Sequence, residues 1–125
     1  MMKLQEQMEL WNETDQYEAI IEAIEALPEA EQTPELISEL ARAYNNPAGL
    51  DDTQNYEKAI ALLKSVEEDL GEEHSWNFRI AYAYYYLDQE GPALTYFERA
   101  LDARPKDEDT LAFIEDCRKR LALPR

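Results

Sequence analysis

The sequence predicts an all-α protein, and three observations carry that expectation. Glycine is scarce, at three in 125 residues, and each of the six prolines stands where a helix can begin or end. No run alternates apolar and polar residues with period two, as a half-buried strand requires. Apolar residues recur instead at spacings of three and four, the pattern of helices with one buried face. With 45% hydrophobic and 32% charged residues the chain holds enough apolar material for a core, so global disorder is not expected.

Seven helices follow from the spacing. The first, about 2–12, carries Met8 and Trp11. The second, about 15–28, is expected to open on a capping box of Asp15 and Glu18, with Ile20, Ile24 and Leu27 at spacings of four and three. The third, about 34–46, has Thr33 as its cap and Pro34 in the first turn, where a missing N–H is harmless. The run NNPAGLDDTQ reads as a loop. Asp52 or Thr53 then caps a helix over 53–70, which carries Ala59, Leu63 and Val66. A helix over 73–88 carries Trp76, Ile80 and Tyr84, and one over 91–103 carries Ala93, Phe97 and Ala100. The last, 108–122, starts on Asp107 and shows Leu111, Ile114, Cys117 and Leu121 as a stripe. Arg118, Lys119 and Arg120 near its end suit the negative pole of the helix dipole.

The helices repeat in pairs. Ala93, Phe97 and Ala100 have counterparts 34 residues earlier in Ala59, Leu63 and Val66. Ile80-Ala81-x-Ala83-Tyr84 matches Leu40-Ala41-x-Ala43-Tyr44 at a distance of 40, and Ala41 and Tyr44 match Met8 and Trp11 at 33. Three copies result: about 1–32, about 33–72 and about 73–106, with a capping helix over 108–122. The second copy carries a six-residue insertion in the 45–55 loop, the difference between 40 and 34.

Charge excludes some functions and favours others. The formal net charge is −16, and the acidity is uneven. Residues 1–57 hold 14 acids against two bases, and residues 58–125 hold 14 against ten. Such a chain repels phosphate backbones, so nucleic acid is not an expected partner, while basic peptides are attracted. Solubility alone also explains acidity, and the Glu18, Glu22, Glu25, Glu29 series reads as a solvated face. One cysteine and one histidine exclude an internal disulfide and a His/Cys metal cluster. No run nears the roughly 20 apolar residues of a membrane span, and the N-terminus lacks a signal peptide's apolar segment, so a reducing cytoplasm is the expected setting. Cys117 is expected to be buried and His74 exposed and idle. No nucleophile elbow, glycine-rich phosphate loop or catalytic constellation is present, so neither an enzyme, a cofactor nor a metal is expected.

The third copy resembles the tetratricopeptide repeat through Trp76, Ile80-Ala81, Tyr84, Ala93, Phe97, Ala100 and Pro105. Trp76 falls one residue early, and Ala81 stands where the family often has glycine. The second copy ends in Gly71 rather than proline, and the first replaces its small residue with Ile20. The resemblance implies a right-handed α-solenoid of three hairpins plus a cap. It also implies that the first helix of each pair lines a concave face where peptides lie.

On a helical wheel Trp76, Ile80 and Tyr84 share one face, while Phe78, Tyr82, Tyr85 and Tyr86 fall roughly opposite. The resemblance turns the second group toward the groove, with Tyr86 nearest the edge. Arg79 borders it and is expected to hold a carboxylate or stack on a tyrosine. Corresponding faces offer Ser38, Arg42 and Asn45 in the second copy, and Glu9 and Asn12 in the first. The implied groove is acidic and amide-rich at one end and aromatic at the other. Some members of this family clamp a chaperone's terminal carboxylate. Of the matching positions Gln5, Glu9, Glu39, Ser75 and Arg79, only Arg79 keeps the family's residue type, which argues against that ligand.

The expected function is therefore a non-enzymatic protein-interaction scaffold, monomeric or weakly self-associating. Its partner is a protein or peptide with apolar or aromatic and basic groups. The alternatives are a self-associating module or an accessory, chaperone-like domain of a larger protein.

Overall fold

Eight α-helices and one 3-10 turn make up residues 3–46 and 53–123, the part of the chain described by a computed structural model. They are α1 (Leu4–Glu13), α2 (Tyr17–Glu25), the 3-10 turn (Glu29–Glu31), α3 (Pro34–Asn45), α4 (Thr53–Ser65), α5 (Glu67–Leu70), α6 (His74–Tyr86), α7 (Glu90–Ala103) and α8 (Glu108–Ala122). No strand occurs among the described residues. The central part of the insertion, with the Asp52 cap, lies outside them.

Consecutive helices pair: α1 with α2, α3 with α4, α6 with α7. Each pair then stacks on the next, through α2 on α3 and through α3 and α4 on α6, and α8 closes the stack against α7. The result is an α-solenoid, in which each pair buries its apolar side only because a neighbour covers it. Ala41, Ala59, Ala81, Ala93 and Ala100 are fully buried where helices approach closely. Trp76, also fully buried, fills the space beside them and donates its Nε1–H to the Leu63 carbonyl at 2.7 Å. One apolar cluster runs from Met8 through Leu40 and Leu63 to Ile80. A second joins Ala81, Tyr85, Phe97, Ile114 and Cys117 beneath α8.

Several local expectations meet a different outcome. The single helix expected over 53–70 is broken at Val66 (φ −120°, ψ 17°), and α5 continues against both α3 and α4. Gly71 follows it in a tight turn, where a Cβ would lie 2.6 Å from the Glu67 carbonyl oxygen. Thr33 and Asp107 cap as expected, accepting from Leu36 N at 3.2 Å and Thr110 N at 3.0 Å. Asp15 forms no capping box. It sits in the left-handed region (φ 56°), and Gln16 occupies the cap position of α2 without a side-chain cap bond.

The same turn recurs 73 residues on. Asp88 has φ 59°, and Gln89 precedes α7 as Gln16 precedes α2. Gln16 N donates to Trp11 O at 2.8 Å, and Gln89 N to Tyr84 O at 3.0 Å. Aspartate tolerates this conformation better than most residues, because its short polar side chain bonds locally.

The stripe expected on α8 is rotated. Ile114 and Cys117 are buried, but Leu111 and Leu121 are exposed. Thr110, Ile114 and Cys117 make up the buried face, and Phe113 turns toward α6.

Candidate functional site

Helices α1, α3 and α6, the first of each pair, contribute to a common face with two adjoining cavities. The larger, about 640 Å³, is lined by Gln5 and Glu9 of α1, Glu35 and Glu39 of α3, and Ser75 and Arg79 of α6, with Asn12, Ser38 and Glu73 also on its wall. The smaller, about 280 Å³, is lined by Arg42, Asn45, Asn46, His74, Phe78 and Tyr82. Ser75 and Arg79 border both, so the two are continuous.

Many polar groups on this face tie one helix pair to the next. Arg79 donates from Nη1 to Ser38 Oγ at 2.7 Å and from Nη2 to Glu39 Oε1 at 3.1 Å. Burial lowers the pKa of its guanidinium, and the charge on Glu39 acts in the opposite direction. Asn45 donates to the Arg79 carbonyl at 3.0 Å, and Arg42 donates to Asn12 Oδ1. Arg79 therefore has its carboxylate already, from within the chain. Ser38 and Asn45 are buried, and Arg42 and Asn12 are engaged with each other. Glu39 Oε2 and Asn45 Oδ1 are buried without a partner among the described residues.

The aromatic end is built around a residue the sequence reading passed over. Phe113 of α8 lies 5.7 Å from Phe78, 5.9 Å from Tyr82, 5.0 Å from Tyr85 and 4.8 Å from Phe97 between ring centroids. Tyr85 lies beneath α8, not on the groove. It is 9% exposed, donates its hydroxyl to Asp116, and carries the Arg120 guanidinium 4.5 Å above its ring. Burial, with the Asp116 carboxylate, pushes its pKa up to about 12. Tyr86, placed by the wheel near the edge, is 46% exposed and stacks on Tyr56 of α4 at 5.7 Å. Phe78 and Tyr82 are half-buried and line the smaller cavity. The Tyr82 hydroxyl has a raised pKa, chiefly from burial and then from Tyr86 and Tyr56.

His74 is neither exposed nor idle. Its Nδ1–H donates to the Ala100 carbonyl at 2.9 Å, and Nε2 lies 3.8 Å from the Asp107 carboxylate that caps α8. The contact with Asp107 left no local signal in sequence, because it joins residues 33 apart. Cys117 is buried, and burial pushes its thiol up to about 11. No group of three or more potential metal-ligating side chains occurs among the described residues.

What remains open to a partner is more restricted than the full set of groove positions. Glu9, Glu35 and Glu73 have no ion pair among the described residues, and the Phe78, Tyr82 and Tyr86 rings are partly open.

No family model matches the chain, and no curated protein matches it. Among solved structures, it is similar to part of a chain described as "Molecular features of the UNC-45 chaperone critical for binding and folding muscle myosin". The two share 22% identity with a TM-score of 0.73, over 92% of this chain and 12% of the other. At that identity the likeness concerns the fold, a helical-repeat solenoid, and the chain spans only a small part of its neighbour's length.

Proposed function

We propose that the chain is a tetratricopeptide-type interaction module that binds a basic segment of a partner protein in its groove. The division into three repeats, about 1–32, 33–72 and 73–106, with a cap from 108, belongs to this reading. The observation that carries it is the larger cavity, where Glu9, Glu35, Glu39 and Glu73 share a wall with one cation, Arg79, whose hydrogen-bonded ion pair is with Glu39, so that carboxylates stay in excess. A carboxylate-lined cleft focuses a negative field and draws in cationic segments. The same field disfavours nucleic acid. A neighbour described as a chaperone that binds and folds myosin supports a protein as the class of partner.

The reading is non-enzymatic. The two side chains best suited to chemistry near neutral pH are withdrawn: Cys117 is buried with a raised pKa, and the His74 ring is held by Ala100 and Asp107. A cytoplasmic setting belongs to the same reading. None of the described helices is long and apolar enough to cross a membrane.

Fluorescence anisotropy tests the proposal with labelled peptides of equal length, one Lys/Arg-rich and one Asp/Glu-rich. The basic peptide binds, and its affinity falls as salt is raised. Reversing the charge at Glu9 and Glu35 together lowers the affinity by about tenfold or more. Equal binding of both peptides, or indifference to the reversal, overturns the reading.

A second reading, weak self-association, is favoured by Leu111, Leu121 and Leu123, which are exposed along and just beyond α8. Light scattering across a concentration series separates a stable monomer from a self-associating one.

A further inference from the structure

The aromatic end of the groove narrows the partner's chemistry further, on the premise that the groove binds a basic peptide as proposed above. Phe78, Tyr82 and Tyr86 stand one helical turn apart along α6, and their rings form a continuous strip. Centroids are 6.4 Å apart from Phe78 to Tyr82 and 4.6 Å from Tyr82 to Tyr86. Tyr56 of α4 extends the strip by a further 5.7 Å. We infer that this strip takes a proline-rich segment in the polyproline II conformation, flanked by lysine or arginine.

Three modes of peptide recognition compete, and the surroundings decide between them. Strand addition needs a sheet edge, and the described residues contain no strand. An amphipathic helix needs apolar pits for anchors at i, i+3, i+4 and i+7. Apart from its two rings, the cavity that holds Phe78 and Tyr82 is lined by Arg42, Asn45, Asn46, His74, Ser75 and Arg79, and the aliphatic side chains of the groove, Leu4, Met8, Leu36 and Leu70, belong to the adjoining cavity. A polyproline II segment needs neither. Its rings lie flat on aromatic side chains, and its carbonyls carry no internal hydrogen bonds. Tyrosine hydroxyls, protonated at neutral pH, are suited to donate to such carbonyls.

Charge supplies the flanking residues. The cavity holding Glu9, Glu35 and Glu73 adjoins the aromatic one through Ser75 and Arg79. A segment leaving the strip along the groove therefore enters an acidic trough. The proline run is stiff, so little conformational freedom is lost on binding.

The test uses three labelled peptides with the same arginines at the same positions. One has a proline-rich centre; in the others serine or alanine replaces every proline. Anisotropy titration of the whole chain is expected to favour the proline peptide by about tenfold or more. Tyr86→Ala, at a half-exposed position, weakens that peptide by about threefold to tenfold, while circular dichroism stays unchanged and the melt falls only by what the lost stacking on Tyr56 and Tyr82 accounts for. Tyr82→Phe separates the hydroxyl's contribution from the ring's and weakens binding less than Tyr82→Ala. Equal affinity for all three peptides overturns the polyproline assignment and leaves the acidic groove standing. Failure of all three to bind overturns both. Proline-dependent binding that ignores Tyr86→Ala and Tyr82→Ala overturns the assignment to this strip.

Discussion

Arg79 on α6 and Glu39 on α3 meet across 3.1 Å, and this pair ties two helix pairs together at the floor of the groove. Both side chains are mostly buried, so neither charge is fully solvated if the other is removed. Glu39→Ala is expected to destabilise the chain by about 2 kcal/mol, most of it from a stranded guanidinium. Arg79→Met alone leaves the Glu39 carboxylate in the same position. The double variant recovers part of the loss, and a urea-denaturation cycle reads the coupling at about 1 kcal/mol or more. A coupling near zero means that the contact is only positional.

Ala93 tests the stacking itself. It is fully buried on α7, which packs along α6. Ala93→Leu forces three extra carbons into that contact and costs about 1–3 kcal/mol. Ala61, exposed on α4, is the control: Ala61→Leu leaves the melting temperature nearly unchanged. Equal effects at the two positions contradict the close approach of α6 and α7.

Helix pairing was legible because it depends on apolar spacing, which the sequence carries directly. Trp76 and Ile80 are buried for the reason their spacing implies, whereas Tyr84, on the same face of the wheel, is only half-buried and stacks on Tyr96. The fate of Tyr82, Tyr85 and Tyr86 was only partly legible. A wheel separates one face of α6 from the other, but the groove and the underside of α8 both lie on the second face. Tyr85 is assigned to α8 by Phe113 and Asp116, residues 28 and 31 positions later, and no local pattern announces such a contact. Arg79 and Glu39 likewise pair across 40 residues. The turn at Asp15 left a readable signal: Asp-Gln recurs at 88–89, at the offset that relates Trp11 to Tyr84.

Tyr44 and Tyr85, with Tyr82, report their burial through alkaline titration. Burial and a hydrogen bond to Glu25 push the Tyr44 pKa up to about 12, and burial with Asp116 does the same for Tyr85. The ordinary value is 10.0. A raised pKa means that folding favours the protonated phenol. The stabilisation is therefore complete below pH 10 and is lost as pH rises from 10 through about 12. Absorbance at the phenolate band is expected to show a late step in the folded chain that moves to near 10 in concentrated urea. Tyr85→Phe removes part of that late step. If the late step keeps its full amplitude in that variant, Tyr85 is more open than its contacts with α8 imply.

The paired turns give the sharpest test of local backbone chemistry. Asp15 and Asp88 both have φ near +60°, a region where a Cβ crowds the following carbonyl at about 1–2 kcal/mol. Glycine has no such cost, but it adds freedom to the unfolded chain. Asp88→Gly is therefore expected to leave stability within a few tenths of a kcal/mol, whereas Asp88→Ala lowers it by about 1 kcal/mol. The Asp88–Arg120 contact, at 4.0 Å on an exposed surface, adds little to either number. At Asp15 the outcome shifts, because Oδ1 also accepts the Tyr17 hydroxyl at 2.9 Å. Asp15→Gly loses that bond and is expected to fall below Asp88→Gly by about 0.5 kcal/mol. Thermal melts of the three variants decide it. If glycine and alanine are equally harmful at position 88, the aspartate side chain holds the turn, and the left-handed backbone is not what selects it.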